Sequence, residues 1–279
     1  MSASLPPPGF VKMHGLGNDF VVIDARGRAD PMSPARARAI GDRHRGVGFD
    51  QLAVILDDAE ADARLVFWNA DGTTAGACGN ATRCVASRLM AERGERSLML
   101  RTERGLLACA GLADGRIRVD MDAPLLGWRD VPLAEACDTA RLSLPGAPAA
   151  CSMGNPHCTF FVEDADAVDL AARGAETERN PLFPERTNVQ FVTVLAEDRA
   201  RVRVWERGVG VTLASGSSSC AVLVNAVRRG LMGRRAALIL DGGEIEVEWP
   251  ADDAGVLMTG PVATVFEGVL GPAIWEGAE

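Results

Sequence analysis

The chain has 279 residues and a formal net charge of −9, with 47% hydrophobic and 24% charged residues. That length supports two ordinary domains or one large one with a real core, and the composition is that of a folded chain. The acidic balance argues against a nucleic-acid or anionic-membrane surface, each of which needs a basic field.

No apolar run approaches the roughly 18 residues of a membrane span. Residues 2–8 lack the cationic-then-apolar layout of a signal peptide, so a cytoplasmic location is expected. Residues 20–23, 52–56 and 65–68 are short apolar runs that read as strands. A helix follows over 79–93, with apolar positions at Ala81, Cys84, Val85 and Leu89 and a stop at Gly94. Residues 106–110 read as a strand, and Ile117, Val119 and Met121 alternate with Arg116, Arg118 and Asp120. Residues 122–131, with Pro124, Gly127 and Trp128, read as a linker, and 134–150 as a surface segment with a short helix. Strands at 158–162 and 189–194 lead to a second helix over 216–229. It is apolar almost without break from Cys220 to Val227 and stops at Gly230. A helix apolar nearly all round belongs inside something, and in a strand-rich chain that is most simply a sheet wrapped around it. Further strands at 236–240 and 263–266 flank one at Ile245, Val247 and Trp249, which alternate with glutamates.

The two helices resemble each other in their approach. A glycine-punctuated turn leads into each, and nine residues separate both Asn69 from Cys78 and Glu206 from Ser215. This suggests an internal duplication in which each half presents a small reactive residue at a helix N-terminus. Seven cysteines without a C-x-x-C pair, and three histidines, make neither a disulfide framework nor a metal site.

Cys78 stands before Gly79-Asn80 at the first helix mouth, where unsatisfied N–H groups and the positive dipole end favour a thiolate. A packed apolar thiol is the commoner fate of a lone cysteine, and the helix-mouth position is what sets Cys78 apart. Helix mouths also offer donors to an anion. A small carboxylate fits against Gly79 and Asn80 on one side and Gly216 and Ser217 on the other. Glu206-Arg207 offers a charged clamp, although such a dipeptide is ordinarily a surface pair. Gly154-Asn155-Pro156-His157 is a polar turn before a strand. Asn18, Asn69, Asn155 and Asn188 stand at turn boundaries, where asparagine is common anyway.

Taken together, Lys12-Met13-His14-Gly15-Leu16-Gly17-Asn18-Asp19-Phe20, Gly46-Val47-Gly48-Phe49-Asp50-Gln51, Asn69-Ala70-Asp71-Gly72 with Cys78-Gly79-Asn80, Met153-Gly154-Asn155-Pro156-His157, Phe183-Pro184 with Thr187-Asn188-Val189, and Trp205-Glu206-Arg207-Gly208 resemble the diaminopimelate epimerases in order and spacing. The resemblance implies an α+β fold of two pseudo-symmetric halves, 1–122 with 263–279 and 123–262. Each half would be a curled antiparallel sheet around a central helix, with the active site in the cleft between them. It implies a homodimer and a cofactor-independent reaction on a small amino acid, in which one cysteine thiolate removes the α-proton and a second thiol on the opposite face returns one. Carried over, Cys78 is the first base. Asn18, Gln51, Asn69, Asn155, Asn188 and Arg207 hold the substrate's two amino-acid ends, and Gly79, Asn80, Gly216 and Ser217 cradle the reacting carboxylate. His157 and Glu206 match positions that tune the thiols and bind the reacting ammonium.

The second motif departs from the family. Where the family reads Ala-Cys-Gly-Thr/Ser-Gly-Ala/Ser-Cys-Ala, this chain reads Ala214-Ser215-Gly216-Ser217-Ser218-Ser219-Cys220-Ala221. The second catalytic cysteine is thus Ser215, whose hydroxyl ionises far less readily than a thiol, so inversion should be impaired. Ser218 and Ala81 each stand where the family has glycine. Three readings remain open: a diaminopimelate epimerase of reduced activity, a one-base dehydratase, eliminase or racemase of the wider superfamily, or an inactive amino-acid-binding homologue. Retention of the substrate-end residues favours the first.

Overall fold

The computed structural model describes residues 7–76 and 78–276, so residues 2–6 of the stretch searched for a signal peptide lie outside it. Two compact units are present, Met1–Val119 with Pro261–Glu279, and Asp120–Gly260.

Unit 1 runs β1 (Gly9–Gly15), β2 (Asn18–Asp24), α1 (Pro34–Gly41), β3 (Gln51–Leu56), β4 (Ala63–Asn69), β5 (Thr74–Ala75), α2 (Gly79–Arg93), β6 (Ser97–Thr102), β7 (Gly105–Gly111) and β8 (Ile117–Asp120). Unit 2 runs β9 (Ala149–Ser152), β10 (Pro156–Phe161), α3 (Leu170–Glu178), β11 (Asn188–Ala196), β12 (Arg199–Glu206), β13 (Gly210–Thr212), α4 (Gly216–Arg228), β14 (Arg235–Leu240), β15 (Gly243–Glu248) and β16 (Leu257–Gly260). The chain then returns to unit 1 as β17 (Ala263–Val269), antiparallel to β1, and ends in α5 (Pro272–Trp275).

The pairings repeat strand for strand. In unit 1, β2 is parallel to β3, β3 antiparallel to β4, β4 parallel to β6, and β6–β7–β8 antiparallel. Unit 2 has the same relations among β10, β11, β12, β14, β15 and β16. Registers agree as well: Phe20 faces Gln51 as His157 faces Asn188, and Leu52 faces Trp68 as Val189 faces Trp205. Each sheet is mixed, because α1, α2, α3 and α4 are crossovers and a crossover returns the chain parallel to where it left.

Each central helix lies in the curl of its own sheet. α2 packs on β1, β2, β3, β6 and β7, and α4 on β9, β10, β11, β14, β15 and β16. The apolar run of α4 is accordingly buried from Ser218 to Ala226. The outer face of each sheet has its own core. In unit 1, Phe10, Ile23, Ile40, Phe49, Leu52 and Trp275 cluster, with the Arg36 guanidinium 4.1 Å from the Trp275 ring centroid. In unit 2, Val131, Leu133, Leu142, Phe160, Leu170 and Phe191 cluster. Two expectations are corrected here. Residues 122–131 are not a linker but part of unit 2, with Leu125 bridging to Ser152 and Val131 buried. Residues 134–148 form turns with no helix, pinned by Leu142 N–H donating to Pro148 O (2.8 Å). Buried aliphatic side chains, invisible to a count of prolines, tie both segments down.

Candidate active site

In unit 1 the expected residues collect around the N-terminus of α2. Cys78 is the N-cap, in extended conformation (φ −149°, ψ 100°), and its sulfur accepts the N–H of Ala81 at 3.4 Å. A backbone N–H directed at sulfur, at the positive end of a helix, stabilises negative charge there. Thr82 N–H and Oγ1 both donate to Cys78 O (2.9 and 2.8 Å), locking the cap. Buried Asn80 donates through Nδ2 to Asn18 Oδ1 (3.0 Å), and Asn18 Nδ2 donates to Asp50 Oδ2 (2.8 Å). Asp50 is held in turn by Arg43 (2.7 Å). On the neighbouring strands Gln51 Nε2 donates to Asn69 Oδ1 (3.0 Å), and Asn69 Nδ2 donates to Thr73 Oγ1 (3.0 Å). The turn after Asn69 needs Gly72 (φ +88°), where a Cβ would stand 2.6 Å from Pro34 O.

Unit 2 repeats the plan around α4. Ser215 is the N-cap (φ −140°, ψ 121°), and its Oγ donates to Glu206 Oε2 at 3.0 Å. Ser219 donates to Ser215 O through N–H (3.0 Å) and Oγ (2.8 Å), as Thr82 does to Cys78. Asn155 Nδ2 reaches Ser217 Oγ (3.4 Å), as Asn18 and Asn80 meet in unit 1. His157 is buried. Its Nε2 lies 2.9 Å from Asn155 Oδ1 and its Nδ1 3.1 Å from Gln190 Nε2. Asn188 is committed to backbone: Nδ2 donates to Pro156 O (2.9 Å) and Oδ1 accepts Arg207 N–H (3.0 Å). The exposed Arg207 guanidinium donates to Glu185 O (3.0 Å).

Asn18, Phe20, Gln51, Trp68, Asn69, Cys78 and Asn80 therefore correspond, at one constant offset, to Asn155, His157, Asn188, Trp205, Glu206, Ser215 and Ser217. Several supporting residues are not among the expected site residues. Asp50 and Thr73 brace the first mouth. Glu178 braces the second, accepting Trp205 Nε1–H (2.7 Å) and Gly208 N–H (3.1 Å). Asp50 lies inside the motif 46–51 and Thr73 directly follows another, whereas only an acidic residue closing an otherwise amphipathic helix hints at Glu178.

The remaining thiols set Cys78 apart. Burial pushes Cys84 and Cys109 up to about 12 and raises Cys158 too. Cys137 is raised by burial and then by Glu135 and Asp138. Among the described residues no group of histidine, cysteine and carboxylate side chains could hold a metal ion.

A sheet curled around a central helix, duplicated, with a small polar or thiol N-cap at each helix mouth, defines the class. The same fold is found in a hydroxyproline epimerase from Agrobacterium vitis (TM-score 0.68, 15% identity, 97% of each chain covered). It recurs in a phenazine biosynthesis protein from Bacillus anthracis (TM-score 0.67, 14% identity, 95% of this chain and 99% of that one). Within that class the chain belongs to the diaminopimelate epimerase family. The family model matches residues 10–126 and again 149–265, and the diaminopimelate epimerase of Acidiphilium cryptum is 53% identical over 98% of this chain and 99% of its own.

Proposed function

We propose that the protein interconverts LL- and meso-diaminopimelate by cofactor-independent α-proton transfer, with Cys78 as the base. The observation that carries this reading is Cys78 as the N-cap of α2, its sulfur taking a helix N–H, in a chain that belongs to this family. The α-proton of an amino acid is far less acidic than a thiol, so donors at the carboxylate must stabilise the carbanion. Gly79, Asn80, Gly216 and Ser217 sit where helix N–H groups lack intrahelical partners. Asn18, Gln51, Asn69, Asn155, Asn188 and Arg207 would hold the substrate's amino-acid ends. Ser215 limits the proton return: its hydroxyl points at Glu206, and a carboxylate neighbour favours the protonated serine.

That substitution also supports a second reading, in which proton transfer stays one-sided and serves elimination. LL-diaminopimelate in deuterated water separates the two. The first reading expects α-deuterium incorporation with slow conversion to the meso isomer. Elimination products, or no exchange at all, would sink it. Among the described residues no cysteine is joined in a disulfide, and no described helix is long and apolar enough to cross a membrane. A reducing cytoplasm suits such a chain. β17 exposes Val265, Phe266 and Val269, a surface that supports a homodimer, and sedimentation at micromolar concentration would test it.

A further inference from the structure

The buried polar chain behind the mouth of α4 has a direction, and an arginine sets it. Arg228 can only donate hydrogen bonds. Its Nη1 lies 3.1 Å from Asn225 Oδ1, which fixes the amide of Asn225 with Nδ2 facing Thr159 Oγ1 at 3.0 Å. The Thr159 hydroxyl accepts there, so its single proton goes to Gln190 Oε1 at 3.0 Å. Gln190 is thereby oriented with Nε2 outward. Its two N–H bonds go to His157 Nδ1 and to Ser218 Oγ, both at 3.1 Å. Thr159, Gln190, Ser218, Asn225 and His157 are all fully buried, so water offers none of them an alternative partner.

We propose that Gln190 is a positioning residue that holds His157 as the neutral imidazole with its proton on Nε2. A proton on Nδ1 would oppose the Gln190 N–H. Turning the amide over would oppose the Thr159 hydroxyl and leave Ser218 without its donor. The histidine must then donate through Nε2 to Asn155 Oδ1 at 2.9 Å, and Asn155 presents Nδ2 to Ser217 Oγ at 3.4 Å. Ser217, accepting, keeps its own hydroxyl proton to donate at the helix mouth. The buried chain thus ends in a donor at the place where the proposed carboxylate would sit. Ser218, a residue in a position where the resemblance leads one to expect glycine, gains a role by taking the second N–H of Gln190 and doubling the lock. His157 in this arrangement supplies neither acid nor base through Nδ1.

The inference deepens the proposed function, yet its test needs no substrate, so a wrong substrate would leave the result standing. With three histidines in the chain, long-range proton–nitrogen NMR of the intact protein can assign His157 by comparison with His157→Gln. Through the range where free imidazole titrates, around pH 6.5, Nδ1 should show the shift of an unprotonated ring nitrogen and Nε2 that of a protonated one. Gln190→Glu replaces the N–H donor by an acceptor and should move Nδ1 to the protonated shift at neutral pH. A protonated Nδ1 in the parent protein overturns the proposal, as does an unprotonated Nδ1 in a folded Gln190→Glu. Should that variant not fold, Thr159→Val serves: without the hydroxyl that orients Gln190, both tautomers should be populated, and a single unchanged Nε2–H tautomer would overturn it.

Discussion

The reactivity of a thiol at a helix mouth is set by what reaches its sulfur. Five of the seven cysteines are buried, and Cys78 and Cys137 are the partly exposed pair. Cys137 lies beside Glu135 and Asp138, which together with burial oppose its thiolate, whereas Cys78 takes the Ala81 N–H. Iodoacetamide followed by peptide mapping should therefore label Cys78 first and Cys137 well behind it, and the reverse order would remove Cys78 from its role. Ser215 presents the opposite case, since its side chain spends its proton on Glu206 instead of presenting a thiol. General acid–base groups contribute about 10²- to 10⁴-fold, so Ser215→Cys should raise conversion of LL- to meso-diaminopimelate by a factor in that range. No gain in a folded variant would shift attention to Ser218 and Ala81, or to another substrate.

At the scale of elements, the two central helices make different demands on their residues. Leu223 of α4 is fully buried, and Leu223→Ala should cost about 2–5 kcal/mol, the usual penalty for a core cavity. Gly94 closes α2 at φ +69° with nothing within 4 Å of where a Cβ would go. Gly94→Ala should therefore cost only about 1 kcal/mol of backbone strain. Urea unfolding of both variants checks the contrast, and equal losses would contradict it. Both helices are legible in the sequence, because their N-caps, apolar faces and closing glycines agree. β12 is harder to see: Ala200, Val202 and Val204 are buried between Arg199, Arg201 and Arg203, and the charged partners mask the alternation. β9 is Ala-Ala-Cys-Ser, without a strong strand former, and only burial between α4 and β10 makes it a strand. α1 begins at Ser33-Pro34, a sound cap signal, but arginines between its alanines hide the apolar face. The site reads the same way. Residues at element ends, such as Asn18, Asn69 and Glu206, are common there and are singled out by the motifs they belong to, whereas Gln190 sits inside the apolar run of β11 and belongs to none of those motifs.

At the scale of the whole molecule, one lysine stands among 28 arginines, and it is buried in the middle of unit 1. Lys12 lies on β1 between Val21 of β2 and Phe266 of β17, and its ammonium donates to Asp19 and to Gly48 O. Burial alone would raise the carboxyl of Asp19, but hydrogen bonds from Arg43 and Lys12 outweigh it and hold that carboxyl below the usual range. A lowered folded-state value means that Asp19 contributes stability above the unfolded value of about 3.9 and loses it as the pH falls through the folded one. Asp19→Asn should accordingly be less stable at neutral pH and lose less stability than the parent as the pH drops below about 4, and parallel acid curves would contradict this. The same pairing makes Lys12 a one-site reporter. Amine acylation cannot modify arginine, so besides the chain's α-amine the reagent has a single side-chain target, and reaching it requires the ammonium to leave Asp19 and the Gly48 carbonyl. Mass spectrometry of the folded protein should find the Lys12 peptide unmodified and should find it labelled once urea opens the sheet. Asp19→Asn, which removes one partner of the ammonium, should speed labelling while circular dichroism stays native. Fast labelling of Lys12 in the unaltered, folded protein would mean that the ammonium leaves Asp19 and the Gly48 carbonyl far more readily than its burial and pairing imply.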